Sequence, residues 1–161
     1  MALKTFAAIS IGSAVTEMKI FEFTSRRVMK EVDWISTRLG LGLDAYTMGR
    51  ISSRNVEELC RVLRDFARIM DGYKVNAYRA CATSAFRESR NMLILVDYIE
   101  KQTGLTIEVL SNSEQRFIDY QSIASVTTEF ESIIQNPAAI VDIGGLSVGV
   151  IVALFMVPVY Y

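Results

Sequence analysis

Histidine does not occur anywhere in the 161 residues. Its absence removes Ser-His-Asp and Cys-His catalysis, histidine-ligated zinc and any imidazole general base. Whatever chemistry exists must use carboxylates, hydroxyls, backbone amides, Arg or Lys. Cysteine is nearly missing as well: Cys60 and Cys81 stand far apart, with no Cys-x-x-Cys spacing. With no signal peptide at the start, they read as reduced core thiols of a cytoplasmic protein. Basic residues stop at Arg116. Residues 1–116 carry 17 Lys and Arg against 14 Asp and Glu, whereas residues 117–161 carry four acids and no base. The resulting balance of +3 in the first stretch is too small and scattered to argue for DNA or RNA as a partner. Long apolar runs are scarce. The uncharged stretch Val148–Tyr161 is 14 residues long and contains Pro158, short of the roughly 20 residues a membrane-spanning helix needs. Its Val, Ile, Phe and Tyr content favours buried strands, so no membrane role is expected.

What is present is a globular composition, 51% hydrophobic and 22% charged, on a chain long enough to bury a core without staples. Thr5–Ile11 reads as a buried strand, Val15–Phe23 as a half-exposed one by its alternation, and Val28–Ile35 as a third. Leu39-Gly40-Leu41-Gly42-Leu43 reads as a glycine-broken loop. A helix is expected to start around Ser52, Ser53 or Asn55. Val56, Leu59, Cys60, Leu63, Phe66, Ala67 and Met70 then recur at helical spacing up to Gly72. The strand Val75–Cys81 follows, then a helix from near Asn91 to Thr103 stopped by Gly104, a strand over Thr106–Leu110, and a helix from near Ser113 to about Ala124. After a polar link ending at Pro137 come strands at Ala138–Ile143, Val148–Phe155 and Val157–Tyr161. Strands alternating with helices imply a largely parallel α/β sheet that opens with an antiparallel meander. The order βββαβαβα resembles the ribonuclease-H-like lobe of actin and its relatives, which occurs twice in those proteins with the active site between the copies. The expected domains are therefore a first lobe over residues 1–125 and the start of a second over residues 126–161.

Three strand ends carry turn chemistry suited to an anion. Gly12 and Ser13 follow the first strand, where a glycine and a hydroxyl can turn backbone N–H groups outward; ordinary turn use of Gly and Ser explains the pair equally well. Thr83 and Ser84 sit just past a strand, at the edge where open α/β sheets bind ligands. Arg87, three residues on, can aim a planar fork at phosphate. The bland alternative is a helix start with an arginine on its solvated face. Gly144, Gly145 and Ser147 follow a strand that ends near Asp142, a carboxylate that could hold a metal or orient water, or that merely serves a turn.

Together these segments resemble the exopolyphosphatase and guanosine pentaphosphate phosphohydrolase family. Its pattern runs Asp-Ile-Gly-Ser-Asn-Ser, then Ala-Thr-Ser-Ala-x-Arg-Glu-Ala-x-Asn. Thr-Gly-x-x-Ile-Glu-x-x-Ser-Gly-x-Glu-Glu-Ala follows, and Asp-Ile-Gly-Gly-Gly-Ser-Thr-Glu closes it. Ala82, Thr83, Ser84, Ala85, Arg87, Glu88 and Asn91 match the second element, and Thr103, Gly104, Ile107, Glu108, Ser111 and Glu114 follow at the right spacing. The resemblance implies hydrolysis of the terminal phosphoanhydride of polyphosphate or guanosine pentaphosphate, usually with magnesium. It implies phosphate contacts from Gly12, Ser13, Thr83, Ser84, Arg87, Gly144, Gly145 and Ser147, with Asp142 as a metal ligand.

The departures from that pattern fall on the chemistry. The first-loop aspartate is Ser10, and the following Asn and Ser are Ala14 and Val15. The second member of the Glu-Glu pair, the family's water-activating base, is Gln115; the last loop has Leu146, Val148 and Gly149 for Gly, Thr and Glu. Glutamine cannot accept a proton at neutral pH, and loss of a positioned base typically costs about 10²–10⁴-fold. Glu114 is the neighbouring carboxylate, but on a helix it points about 100° away from residue 115. Two expectations stand side by side: a hydrolase with Glu114 or Asp142 in the base's role, or a non-catalytic relative that binds a phosphate-rich ligand or acts as an interaction module. The three turns are expected at one edge of the sheet. The 161-residue chain is expected to be inactive on polyphosphate, and Val148–Tyr161 to find cover in a homodimer.

Overall fold

The computed structural model describes residues 4–24, 29–126 and 138–153. By compactness the chain divides into two units, Met1–Leu110 and Ser111–Tyr161. The first opens with β1 (Lys4–Ile11), β2 (Val15–Phe23) and β3 (Met29–Arg38). Alternation writes this meander: Ala7, Ile9 and Ile11 of β1 and Thr16, Met18 and Ile20 of β2 point inward and are buried, as a period of two demands. β1–β2 and β2–β3 pair antiparallel, with a bulge in the second pair between Ile20 and Phe21.

Of the expected loop Leu39–Leu43 only Leu39 and Gly40 lie outside a regular element. Helix α1 runs over Leu41–Met48, with Leu41, Gly42 and Ala45 buried. Burial of Leu39, Leu41 and Ala45 against the core outweighs the glycines' poor helix propensity, which costs only about 1 kcal/mol per residue. Helix α2 (Ser53–Gly72) follows as expected, Ser52 capping it by accepting from the Asn55 N–H at 3.4 Å. Its buried stripe is Val56, Leu59, Cys60, Val62, Leu63, Phe66 and Met70, each large apolar side chain contributing roughly 1.5–3 kcal/mol.

Strand β4 (Ala77–Ala82) starts later than expected, because Val75 N–H still donates to Met70 O across the helix end and Lys74 takes a left-handed φ of 52°. A separate four-residue helix, α3 (Ser84–Arg87), precedes α4 (Met92–Thr103). Gly104 ends α4 at a φ of 72°, where its lack of a Cβ is needed. The expected strand over Thr106–Leu110 shrinks to β5, Glu108–Val109. Thr106 N–H bonds the Tyr78 hydroxyl at 3.0 Å instead of a ladder partner, and β5 finds only Cys81 and Ala82 to pair with.

β1, β4 and β5 are parallel, so the sheet order is β3-β2-β1-β4-β5. The sheet is therefore mixed, an antiparallel meander continued by parallel strands, as the order of elements leads one to expect. The second unit holds α5 (Asn112–Val126) and a hairpin of β6 (Ala138–Ile143) with β7 (Val148–Ala153). The expected strand Val157–Tyr161, and Val28 at the start of the third, lie outside the described residues.

Candidate functional site

The first two turns meet at one edge. β1 and β4 are parallel neighbours, so the segments after Ile11 and Ala82 emerge side by side. Thr83 N–H donates to Ile11 O at 3.1 Å, and its hydroxyl reaches the same carbonyl at 3.5 Å. Gly12 closes the β1–β2 turn by donating to Val15 O at 2.9 Å, and a Cβ on it would stand 2.9 Å from that oxygen. Only glycine fits there without displacing backbone. The Gly12 amide thus closes the first turn, and the Thr83 amide ties the second to it. Ser13 and Ser84 are buried hydroxyls. Ser13 O accepts from Gly42 N–H at 2.7 Å, so α1 backs the first turn.

Arg87 is not on a solvated face. Its side chain is 19% exposed, and Nη1 donates to Leu110 O at 2.8 Å, which holds the guanidinium at the carboxyl end of β5. Glu88 lies 3.8 Å from its Nε. Asn91, also part of the matched segment, serves the scaffold. Its amide exchanges hydrogen bonds with the Ile51 backbone, giving to O at 3.0 Å and accepting from N–H at 3.3 Å.

In the second unit Glu114 and Ser111 form a reciprocal cap at the start of α5. Ser111 N–H donates to Glu114 Oε2 at 2.8 Å, and Glu114 N–H donates to Ser111 Oγ at 3.2 Å, a capping box that satisfies two otherwise orphaned amides. Gln115 N–H continues the helix to Ser111 O at 3.0 Å. The third turn is closed by Gly144 N–H to Ser147 O at 2.8 Å; Gly144 and Gly145 are exposed and Ser147 half-buried.

Asp142 is already engaged. Arg116 Nη1 donates to its Oδ2 at 3.0 Å and to Asp119 Oδ2 at 3.1 Å, all three side chains being one-third exposed or less. Burial raises the Asp119 pKa, the nearby Asp142 charge raises it further, and Arg116 only partly opposes them. Neither Arg116 nor Asp119 is visible as a partner of Asp142 in the sequence. The available signal was Arg116 itself, the last base before a wholly acidic stretch.

The resemblance of the sequence to the exopolyphosphatase family implies a magnesium ion. A hard dication wants several oxygen ligands. Asp142 is taken by a guanidinium, glycine stands at position 149, and among the described residues no three carboxylates or thiols gather where a metal ion could be held. The described residues do not by themselves make up a site that fits magnesium. Among the described residues, no helix is long and apolar enough to cross a membrane.

Comparison with known proteins agrees with this architecture. The chain is 25% identical over 157 residues to a guanosine-5'-triphosphate,3'-diphosphate pyrophosphatase of Pseudoalteromonas atlantica, matching 96% of this chain and 30% of that protein. The crystal structure of an exopolyphosphatase from Cytophaga hutchinsonii superposes with a TM-score of 0.80 at 24% identity, over 94% of this chain and 47% of that one. The Aquifex aeolicus member of the Ppx/GppA family gives 0.78 at 20% identity, over 95% and 52%. The chain thus spans about half the length of these solved structures and less of the curated relative. The model of the Ppx/GppA phosphatase family matches residues 3–154, and the chain belongs to that family.

Proposed function

We propose that this chain is the phosphate-gripping half of a phosphoanhydride phosphatase site, and that by itself it binds polyphosphate or guanosine pentaphosphate without hydrolysing it. In this reading residues 1–125 form the first lobe and 126–161 begin the second. Ser13, Thr83, Ser84 and Arg87 take phosphate oxygens at the edge where β1 and β4 end, with Gly12 shaping the turn; Gly144, Gly145 and Ser147 of the second unit form a phosphate-contacting loop of their own. Arg87 is the anchor, because a half-buried guanidinium presents a fixed fork to phosphate.

The observation that carries the non-hydrolytic reading is the state of the acids. The base position holds the amide of Gln115, Glu114 is engaged in the cap of α5, and Asp142 is bonded to Arg116. Neither candidate carboxylate is left in the role of activating water, and absence of a positioned base lowers the rate about 10²–10⁴-fold.

Two measurements test this on the 161-residue protein. Calorimetric titration with long-chain polyphosphate is expected to show binding that Arg87→Lys weakens at least tenfold. Phosphate release from the same polymer is expected to be absent. Release that Glu114→Gln abolishes would restore the hydrolytic reading, and no binding by the wild type would overturn the ligand class.

A further inference from the structure

Two departures from the family pattern are far apart in sequence and adjacent in space. Arg116 stands where the pattern has the alanine after Glu-Glu, and Gly149 where it has the final glutamate. On the β6–β7 hairpin Gly149 lies directly opposite Asp142. Arg116 reaches the same spot from α5, and a Cβ placed on Gly149 would overlap its Cζ and both terminal nitrogens. Gly149 is buried although Val148 and Val150 beside it are exposed; the guanidinium is what lies over it.

Backbone conformation does not demand the glycine. The positive-φ glycines among the described residues are Gly49 and Gly104, and glycine inside a strand is worse than alanine by roughly 0.5–1 kcal/mol. What position 149 needs is empty space, and Arg116 uses it. We infer that Arg116 is an internal cation seated where the pattern places a glutamate side chain, and that it closes this loop to divalent metal. Guanidinium keeps its charge at any working pH. Bonded to Asp142 and Asp119 together, it neutralises one of two carboxylates that would otherwise face each other, and it repels a dication from both.

The probe is Mn²⁺ alone, followed by the loss of its free electron-paramagnetic-resonance signal on titration with protein. Arg116→Met keeps the packing stem and removes the charge. It is expected to bind Mn²⁺ at least tenfold more tightly than wild type, and the added Asp142→Asn is expected to cancel that gain. Equal Mn²⁺ binding by wild type and Arg116→Met, tight or undetectable, would overturn the inference. A second measurement does not depend on that variant folding. Gly149→Ala in the otherwise native chain is expected to lower the urea midpoint, because the methyl pushes the guanidinium off Asp142. An unchanged or higher midpoint, the ordinary result of Gly→Ala in a strand, would refute the shared space.

Discussion

Asp44 is the residue through which α1 is tied to α2, and its replacement by alanine tests how the first turn is buttressed. Its Oδ2 accepts from Ser52 N–H at 2.9 Å and from Asn55 Nδ2 at 2.7 Å. The same helix gives Gly42 N–H to Ser13 O, so slack in α1 is transmitted to the turn. Burial alone would raise the Asp44 pKa, but the bonds from Ser52 and Asn55 outweigh it and hold the carboxyl below its ordinary 3.8. Hydrogen bonds to a charged group are worth about 1.5–3 kcal/mol at best. At this half-buried site the pair together should contribute roughly 2 kcal/mol. Urea denaturation followed by fluorescence of Trp34, the only tryptophan and part of β3, reports the first unit. Because the folded pKa is depressed, the stabilisation is complete above the ordinary carboxylate pKa of 3.8 and is lost as pH falls below it, through the folded value. Asp44→Ala should therefore destabilise fully at pH 7 and progressively less in acid. A loss under about 0.5 kcal/mol at pH 7, the scale of ordinary surface substitutions, or a loss that does not shrink in acid, would refute this account.

Phe66, 1% exposed at the centre of the α2 stripe, should cost about 3–5 kcal/mol when cut to alanine, read as a lower urea midpoint with the same probe. Glu114→Ala removes half of the capping box and should cost about 0.5–1 kcal/mol of α5 stability; circular dichroism that melts as in wild type would contradict the cap. The uncharged run Val148–Tyr161 should bring two copies together at micromolar concentration, and sedimentation as a strict monomer would dispose of that dimer.

The elements legible in the sequence are those whose signal is periodic and whose partners are local. β2 and β6 are read to the residue because alternation and flanking turn residues agree, and α2 because a serine cap precedes a clean 3–4 apolar spacing. α1 escapes because its two early glycines mimic a loop, and its reason to be helical, burial of Leu41 and Ala45, is tertiary. β5 is over-read because Leu105, Ile107 and Leu110 are buried without being paired in a strand. Turn chemistry does locate the edge where Gly12, Ser13, Thr83 and Ser84 meet. The grip of Arg116 on Asp142 is illegible for a different reason: no local pattern links a helix residue to a strand residue beyond an intervening segment.

The five-stranded sheet is poorly suited to growing by addition of further strands. β3, at one edge, exposes Lys30, Glu31 and Arg38, and its partner β2 is bulged at Ile20 and Phe21. Lys19 pairs with Glu31 at 2.8 Å and sits 5.4 Å over the Trp34 ring, so the large exposed aromatic is shielded by charge. The other edge, β5, is two residues long. Charges, a bulge and a short edge strand each discourage intermolecular β-pairing and the aggregation that follows from it. Crowding this protein should therefore not seed sheet-to-sheet fibres through the first unit. The hairpin of the second unit has no such guard, with Val141, Ile143, Val148, Val150 and Val152 exposed, and there a single charged substitution such as Val150→Lys should do more for solubility than any change on the sheet.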